Sequence, residues 1–193
     1  MKRNVYAIGF VVFILVMIAF FITNIFFRNV NYYETSMGLN AFLLPFLFAA
    51  GAYYSVTTFS RWKKVISFKE VYGRAFIPMF TACFLSLSSI FVYITYVDTD
   101  TKDLLNHQFI ERYKNSLEEE YTTGKKVIKP NTPEMEELED KYAEAKIRLQ
   151  HKIDKNEDMF SLRYFGYVFA VYCAFFLILS VFFGSFFRTK TVG

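Results

Sequence analysis

Two histidines, two cysteines and a set of carboxylates are the reactive side chains of this 193-residue chain. His107 and His151, with Asp103, Glu111 or Asp154 nearby, have the donor types of a zinc or copper site. No sequence-local ligand motif accompanies them, so the expectation is two solvated histidines and no metal centre. Cys83 and Cys173 each lie in the middle of a different apolar run, too few and too deep for a zinc cluster, and read as small packing residues. There is no Ser or Cys beside an accessible His, no phosphate-cradling Gly loop, no HExxH and no carboxylate pair inside an apolar run. Chemistry at a membrane surface would have to come from the loose set Glu70, Arg74, Arg61 and Lys64. The expectation is a protein without catalytic residues or cofactor.

The elements that position these residues follow from composition. The chain is 54% apolar and 21% aromatic, with 25 Phe, far from an ordinary globular domain. A hydrocarbon core about 30 Å thick needs roughly 20 apolar residues in a helix. Four uncharged runs reach that length: Val5 to Phe27, Met37 to Ser60, Ala75 to Val97 and Tyr164 to Phe187. The first follows Met1-Lys2-Arg3 but is too long for a cleaved signal, lacks a small-x-small site, and reads as an uncleaved anchor.

Charge is distributed unevenly. Residues 98–159 hold 16 acidic and 11 basic side chains, a net of −5, whereas the rest holds 11 basic residues against Glu34 and Glu70, a net of +9. The basic residues sit at the ends of apolar runs, which points to membrane topology and not to nucleic acid. Arg61, Lys63, Lys64, Lys69 and Arg74 mark the second connection as cytoplasmic, with Lys2, Arg3, Arg188 and Lys190 at cytoplasmic termini. The first connection, with Tyr32 and Tyr33 suited to the headgroup region, and the acidic insert then lie outside. Arg163, at the outer start of the last run, can snorkel to the interface.

The insert reads as two helices. Asp100 is an N-cap, and Leu105, Phe109, Tyr113, Leu117 and Tyr121 follow at helical spacing until Gly124 stops the run. After a turn, Thr132, Pro133 and Glu134 are a cap, a first-turn proline and an acid at the positive helix end. Met135, Leu138, Tyr142, Ala145 and Leu149 then form a heptad seam whose simplest partner is the first helix. The acidic clusters Glu118-Glu119-Glu120 and Glu136-Glu137 read as solvated faces. The fold class is therefore an all-α membrane protein: four transmembrane helices with an extramembrane antiparallel hairpin inserted between helices 3 and 4. Its parts are residues 1–97, the hairpin 98–159, and 160–193.

Within the runs, Gly166, Ala170 and Ala174 recur every four residues on the last, and Ala75, Ala82, Ser86 and Ser89 share a face of the third. Such faces let helix backbones approach closely. Asn40 and Pro45 in the second run and Pro78 in the third are candidates for an irregular, cavity-lining path, because a proline frees a carbonyl that something must satisfy. No Asp, Glu, Lys, Arg or His lies near the middle of any run, which counts against a pump.

Val65-Ile66-Ser67-Phe68-Lys69-Glu70-Val71-Tyr72-Gly73-Arg74-Ala75-Phe76 leads into the third run with Glu70 and Arg74 one turn apart. With the charged helical insert that follows, this stretch resembles a family of small bacterial inner-membrane proteins catalogued as domain of unknown function 4199. There the start of the third span looks like Ser-Phe-Gly-Glu-Ala-Phe, matched by Ser67, Phe68 and Glu70, with Lys69 where Gly is usual. The resemblance covers the whole layout and implies a bacterial inner-membrane location, but brings no activity. Ser67 and Glu70 also suit a helix cap.

Two functions compete. One is an accessory or scaffold subunit that binds another envelope protein or a second copy of itself, with Met135, Leu138, Tyr142, Leu149, Tyr113 and Tyr121 as its partner-binding residues. The other is a carrier or channel for a small solute or lipid, with a path near Asn40, Pro45 and Pro78.

Overall fold

The computed structural model describes residues 4–29, 31–63, 65–155, 158 and 160–189. Lys2, Arg3, Lys64 and Lys190, which support the charge argument above, lie outside the described residues. Among the described residues every regular element is helical: α1 (Val5–Phe26), α2 (Tyr32–Gly38), a π-helical turn (Leu39–Leu43), α3 (Leu44–Trp62), α4 (Phe68–Tyr96), α5 (Thr99–Val127), α6 (Pro133–Asp154) and α7 (Leu162–Phe187). Four of these stretches, 5–26, 32–62, 68–96 and 162–187, are long and apolar enough to cross a membrane. The chain divides into two compact units, residues 1–99 with 160–193, and residues 100–159.

In the first unit α4 is the hub, packing against α7, α1 and α3. Paired contacts fix the directions. Gly9 lies on Pro78 and Phe21 on Tyr93, so α1 runs parallel to α4, while Gly184 lies on Phe68 and Phe165 on Phe91, so α7 runs antiparallel. Lys63 on Glu70 and Phe59 under Arg74 bring the end of α3 to the start of α4, so α3 runs antiparallel to α4 and hence to α1. One end of this unit therefore gathers the start of α1, the end of α3, the start of α4 and the end of α7, together with Arg61, Lys63, Lys69, Arg74 and Arg188.

Lipid satisfies apolar side chains as well as protein does, so these helices associate by close fit and not by burial from water. A Cβ on Gly9 would come 2.9 Å from the Pro78 carbonyl oxygen and 3.2 Å from its Cα, and one on Gly51 would come 2.5 Å from Val12. Ala75, Ala82 and Cys83 are fully buried on α4. Ser86 is buried beside them, but its hydroxyl has no hydrogen-bond partner, so that face packs by shape and not by the hydroxyl bonding expected of it. Phe68, Tyr72, Phe76, Phe80 and Phe84 stack in sequence at ring separations of 5.6–6.5 Å, one turn apart along α4. Phe169 of α7 meets Phe80 and Phe84 edge-on.

The second span is irregular for a local reason. Pro45 has no N–H to give the carbonyl one turn earlier, and the turn before it widens until the Leu44 N–H bonds to Leu39 O, five residues back.

In the second unit α5 does not stop at Gly124 but continues to Val127. A Cβ at Gly124 would come 2.8 Å from Leu138 Cδ2, so this glycine allows a close approach of α6 where a helix end was expected. Tyr121 stacks on Tyr142 at 4.2 Å, and Asn131 takes positive φ in the turn. Thr132 and Pro133 occupy the expected N-cap and first helical positions of α6, although the Thr132 side chain makes no capping bond and donates to Lys129 O.

Candidate functional site

The basic end of the membrane-helix unit is the most elaborated polar site in the molecule. Ser67 closes a reciprocal cap on α4: the Glu70 N–H donates to Ser67 Oγ at 3.3 Å, and the Ser67 N–H donates to Glu70 Oε2 at 3.1 Å. Lys63 Nζ donates to the other oxygen of Glu70 at 2.5 Å. Phe68 lies on Gly184, and Thr189 bonds the backbone of Ile66 twice, its N–H to Ile66 O and its Oγ1 accepting from Ile66 N–H, each at 3.0 Å. The three residues of the recognised motif thus join the end of α3, the start of α4 and the end of α7. An open cleft of about 410 Å³ lies beside them, walled by Phe59, Lys69, Glu70 and Arg74 among others. The Arg74 guanidinium stands 4.3 Å over the Phe59 ring.

A second polar cluster ties the opposite end. The Tyr32 hydroxyl donates to Asn24 Oδ1, and Asn24 Nδ2 donates to Asp98 Oδ2, each at 3.0 Å. Arg28 pairs with Asp98 at 3.5 Å. Tyr32 is almost fully buried and anchors α2 to α1 through Asn24. No motif announces this network; its members are 74 residues apart, and only the fold brings Asn24 to Asp98.

Asn40 and Pro78 meet different helices. Asn40 is exposed, and its side chain donates to Ser36 O of its own helix at 2.8 Å. Its carbonyl accepts instead from Tyr172 at 2.8 Å. Tyr172, Phe48 and Phe176 form a contiguous aromatic group there, and Pro78 is packed against Gly9. Tyr172 was missed because a tyrosine among so many aromatics carries no sequence signal.

Gly166, Ala170 and Ala174 are all exposed, and nothing lies within 4 Å of a Cβ built on Gly166. Among the described residues of its unit, this face of α7 packs on no other helix. The face that does is Tyr172, Phe176, Ser180, Phe183 and Gly184. The sequence pattern identified a surface on which backbones could meet, but bulky aromatics on the opposite face fill the bundle more completely.

In the second unit, Met135 and Leu149 are buried and Leu138, Tyr142 and Ala145 half-buried, while the α6 positions between them are exposed. Met135 and Leu149 are therefore internal, and neither is available to a partner as it stands. Tyr121 is half-buried on Tyr142, and Tyr113 is 42% exposed. Ile147 is 60% exposed. Lys102 and Asn106 hold Asp158 at 2.9 and 3.1 Å. His107 is exposed 3.6 Å from Glu111 on its own helix, and His151 is exposed near the end of α6. Among the described residues no group of three or more His, Cys, Asp or Glu is placed to hold a metal. Lys141 bonds Glu137 one turn away at 2.6 Å, which lowers the Glu137 pKa and raises that of Lys141.

A family model described as "Protein of unknown function (DUF4199)" matches residues 8–189. No curated protein and no solved structure matches the chain.

Proposed function

The chain belongs to the DUF4199 family, and from that premise we propose a non-enzymatic accessory or scaffold subunit of the bacterial inner membrane. In this reading both termini and the α3–α4 connection are cytoplasmic. Residues 98–159 then stand in the periplasm as an antiparallel helical hairpin that binds another envelope protein or a second copy of the chain. The basic residues gathered at one end of the membrane-helix unit support this orientation.

The observation that carries the reading is the exposure of Tyr113 and Ile147 on a unit whose composition is that of a water-soluble surface. Leu138 and Tyr142 meet Gly124 and Tyr121 of α5, and Met135 and Leu149 are buried, so in this reading recognition passes to the apolar residues left exposed. Aromatic and aliphatic side chains desolvated at the centre of an interface supply most of its binding energy. The unpacked Gly166, Ala170 and Ala174 face offers a second surface for self-association within the membrane.

The test is co-purification in mild detergent of the wild type and of a Tyr113→Asp, Ile147→Asp double variant. Both residues are exposed, so the variant should insert and remain monodisperse. Loss of the specific co-eluting partner, or of the chain's own dimer, is the expected result. Full retention of both would place recognition elsewhere and refute this form of the proposal.

A further inference from the structure

The cleft at the basic end has a feature that capping does not use. Gly73 lies in its wall, in the interior of α4, where glycine costs about 1 kcal/mol relative to alanine. Among the described residues, and apart from its own helix backbone and chain neighbours, nothing lies within 4 Å of where its Cβ would be. Gly9, Gly51, Gly124 and Gly184 each make room for a neighbouring residue; Gly73 leaves open a groove beside three cations.

The charges in this groove are unequal in what they are already doing. Both oxygens of Glu70 are occupied, Oε1 by Lys63 and Oε2 by Ser67. The cleft is lined by three cations, Lys63, Lys69 and Arg74, and by the carboxylate of Glu70. Among the described residues no carboxylate lies within ion-pair range of exposed Lys69, and Arg74 is held against the Phe59 ring. The remaining wall is apolar: Val5, Ile77 and Trp62, the last 60% exposed at the end of a span, where an indole suits the interface. A small soluble anion would need the cations but not this wall. A molecule with an anionic head and an apolar body uses both.

We propose that this cleft is a specific site for an anionic phospholipid, its phosphate drawn to Lys69 and Arg74 and its acyl chain running past Gly73 along Ile77. The volume of about 410 Å³ falls in the range of ordinary small-ligand sites.

The full chain, delipidated in neutral detergent, would be titrated with phosphatidylglycerol, phosphatidylcholine or inorganic phosphate. Native mass spectrometry would count bound lipid, and thermal midpoints would report stabilisation. Two variants separate charge from shape: Lys69→Gln removes an exposed cation, and Gly73→Leu fills the groove with a helix-favouring side chain that meets no protein atom at its Cβ. Phosphatidylglycerol should bind in preference to phosphatidylcholine, and each variant should weaken it by about fivefold or more. Both variants should keep a lipid-free thermal midpoint no lower than that of the wild type. Equal binding of the two lipids would overturn the proposal, as would equal protection by inorganic phosphate, or wild-type binding by Gly73→Leu even where Lys69→Gln is weakened. That last result would mean diffuse surface charge without a site.

Discussion

The two compact units solve the same problem, holding helices side by side, with opposite chemistry. In residues 1–99 with 160–193, glycines and alanines bring backbones together, as at Gly9 on Pro78, and an aromatic ladder on α4 meets α7 edge-on. In residues 100–159, a narrow line of Met135, Leu138, Tyr142 and Leu149 is covered, while most positions around it are charged and exposed. The difference reflects the solvent each unit requires. Water drives apolar residues together without regard to detailed fit. Lipid does not, so membrane helices need contacts that only one arrangement makes.

That contrast is most easily broken at Gly9. A Gly9→Leu substitution must displace the Pro78 backbone, which cannot rotate away as a side chain can, and should cost about 3 kcal/mol of bundle stability, the upper range for overpacking. Ala170→Leu, on the exposed face of α7, should leave the monomer's thermal midpoint in detergent unchanged. Equal effects of the two would mean that close fit is not what holds the bundle.

The buried polar cluster sharpens the comparison next. Asn24→Ala removes the bonds that Asn24 makes to the Tyr32 hydroxyl and to Asp98 Oδ2, which should cost about 1–3 kcal/mol. Changing Tyr32 to Phe in the same chain should then cost little more, because the two residues share one network. Additive losses in a double-mutant cycle would contradict the shared role.

The smallest effect, with the opposite sign, belongs to the other unit. Gly124→Ala sets a Cβ against the flexible end of Leu138 and not against backbone, while helix propensity gains about 1 kcal/mol. A slight stabilisation of α5, seen as a raised midpoint in circular dichroism, is expected. A loss would show that Leu138 is fixed as firmly as Pro78. The exposed Glu137–Lys141 pair should matter less still. Because the folded Glu137 pKa is depressed, its contribution is present above the ordinary carboxylate pKa and lost as pH falls through the lowered value.

Much of the framework is legible in the sequence because it depends on length and period. The four apolar runs correspond to the spans within a few residues at most ends, though the second and third helices begin earlier, at Tyr32 and Phe68. Met135 to Leu149 is readable as a line of less exposed positions because a heptad repeats on one helix face. Gly124 misleads because glycine has two uses, ending a helix and letting another approach, and only the position of Leu138 distinguishes them. Gly166, Ala170 and Ala174 mislead for a related reason: small residues permit contact without saying with what. The Asn24–Asp98 bond and the Gly73 groove are not legible at all, since each depends on which helices become neighbours.

The central proposal is that the chain is threaded so that residues 98–159 face the periplasm. It is tested most directly by cysteine accessibility in a variant with Cys83 and Cys173 replaced by Ser. An impermeant thiol reagent applied to intact spheroplasts should label Lys126→Cys. It should leave Val65→Cys, exposed beside α4, unlabelled until the membrane is permeabilised. Labelling of Val65→Cys with protection of Lys126→Cys would invert the topology and contradict the account.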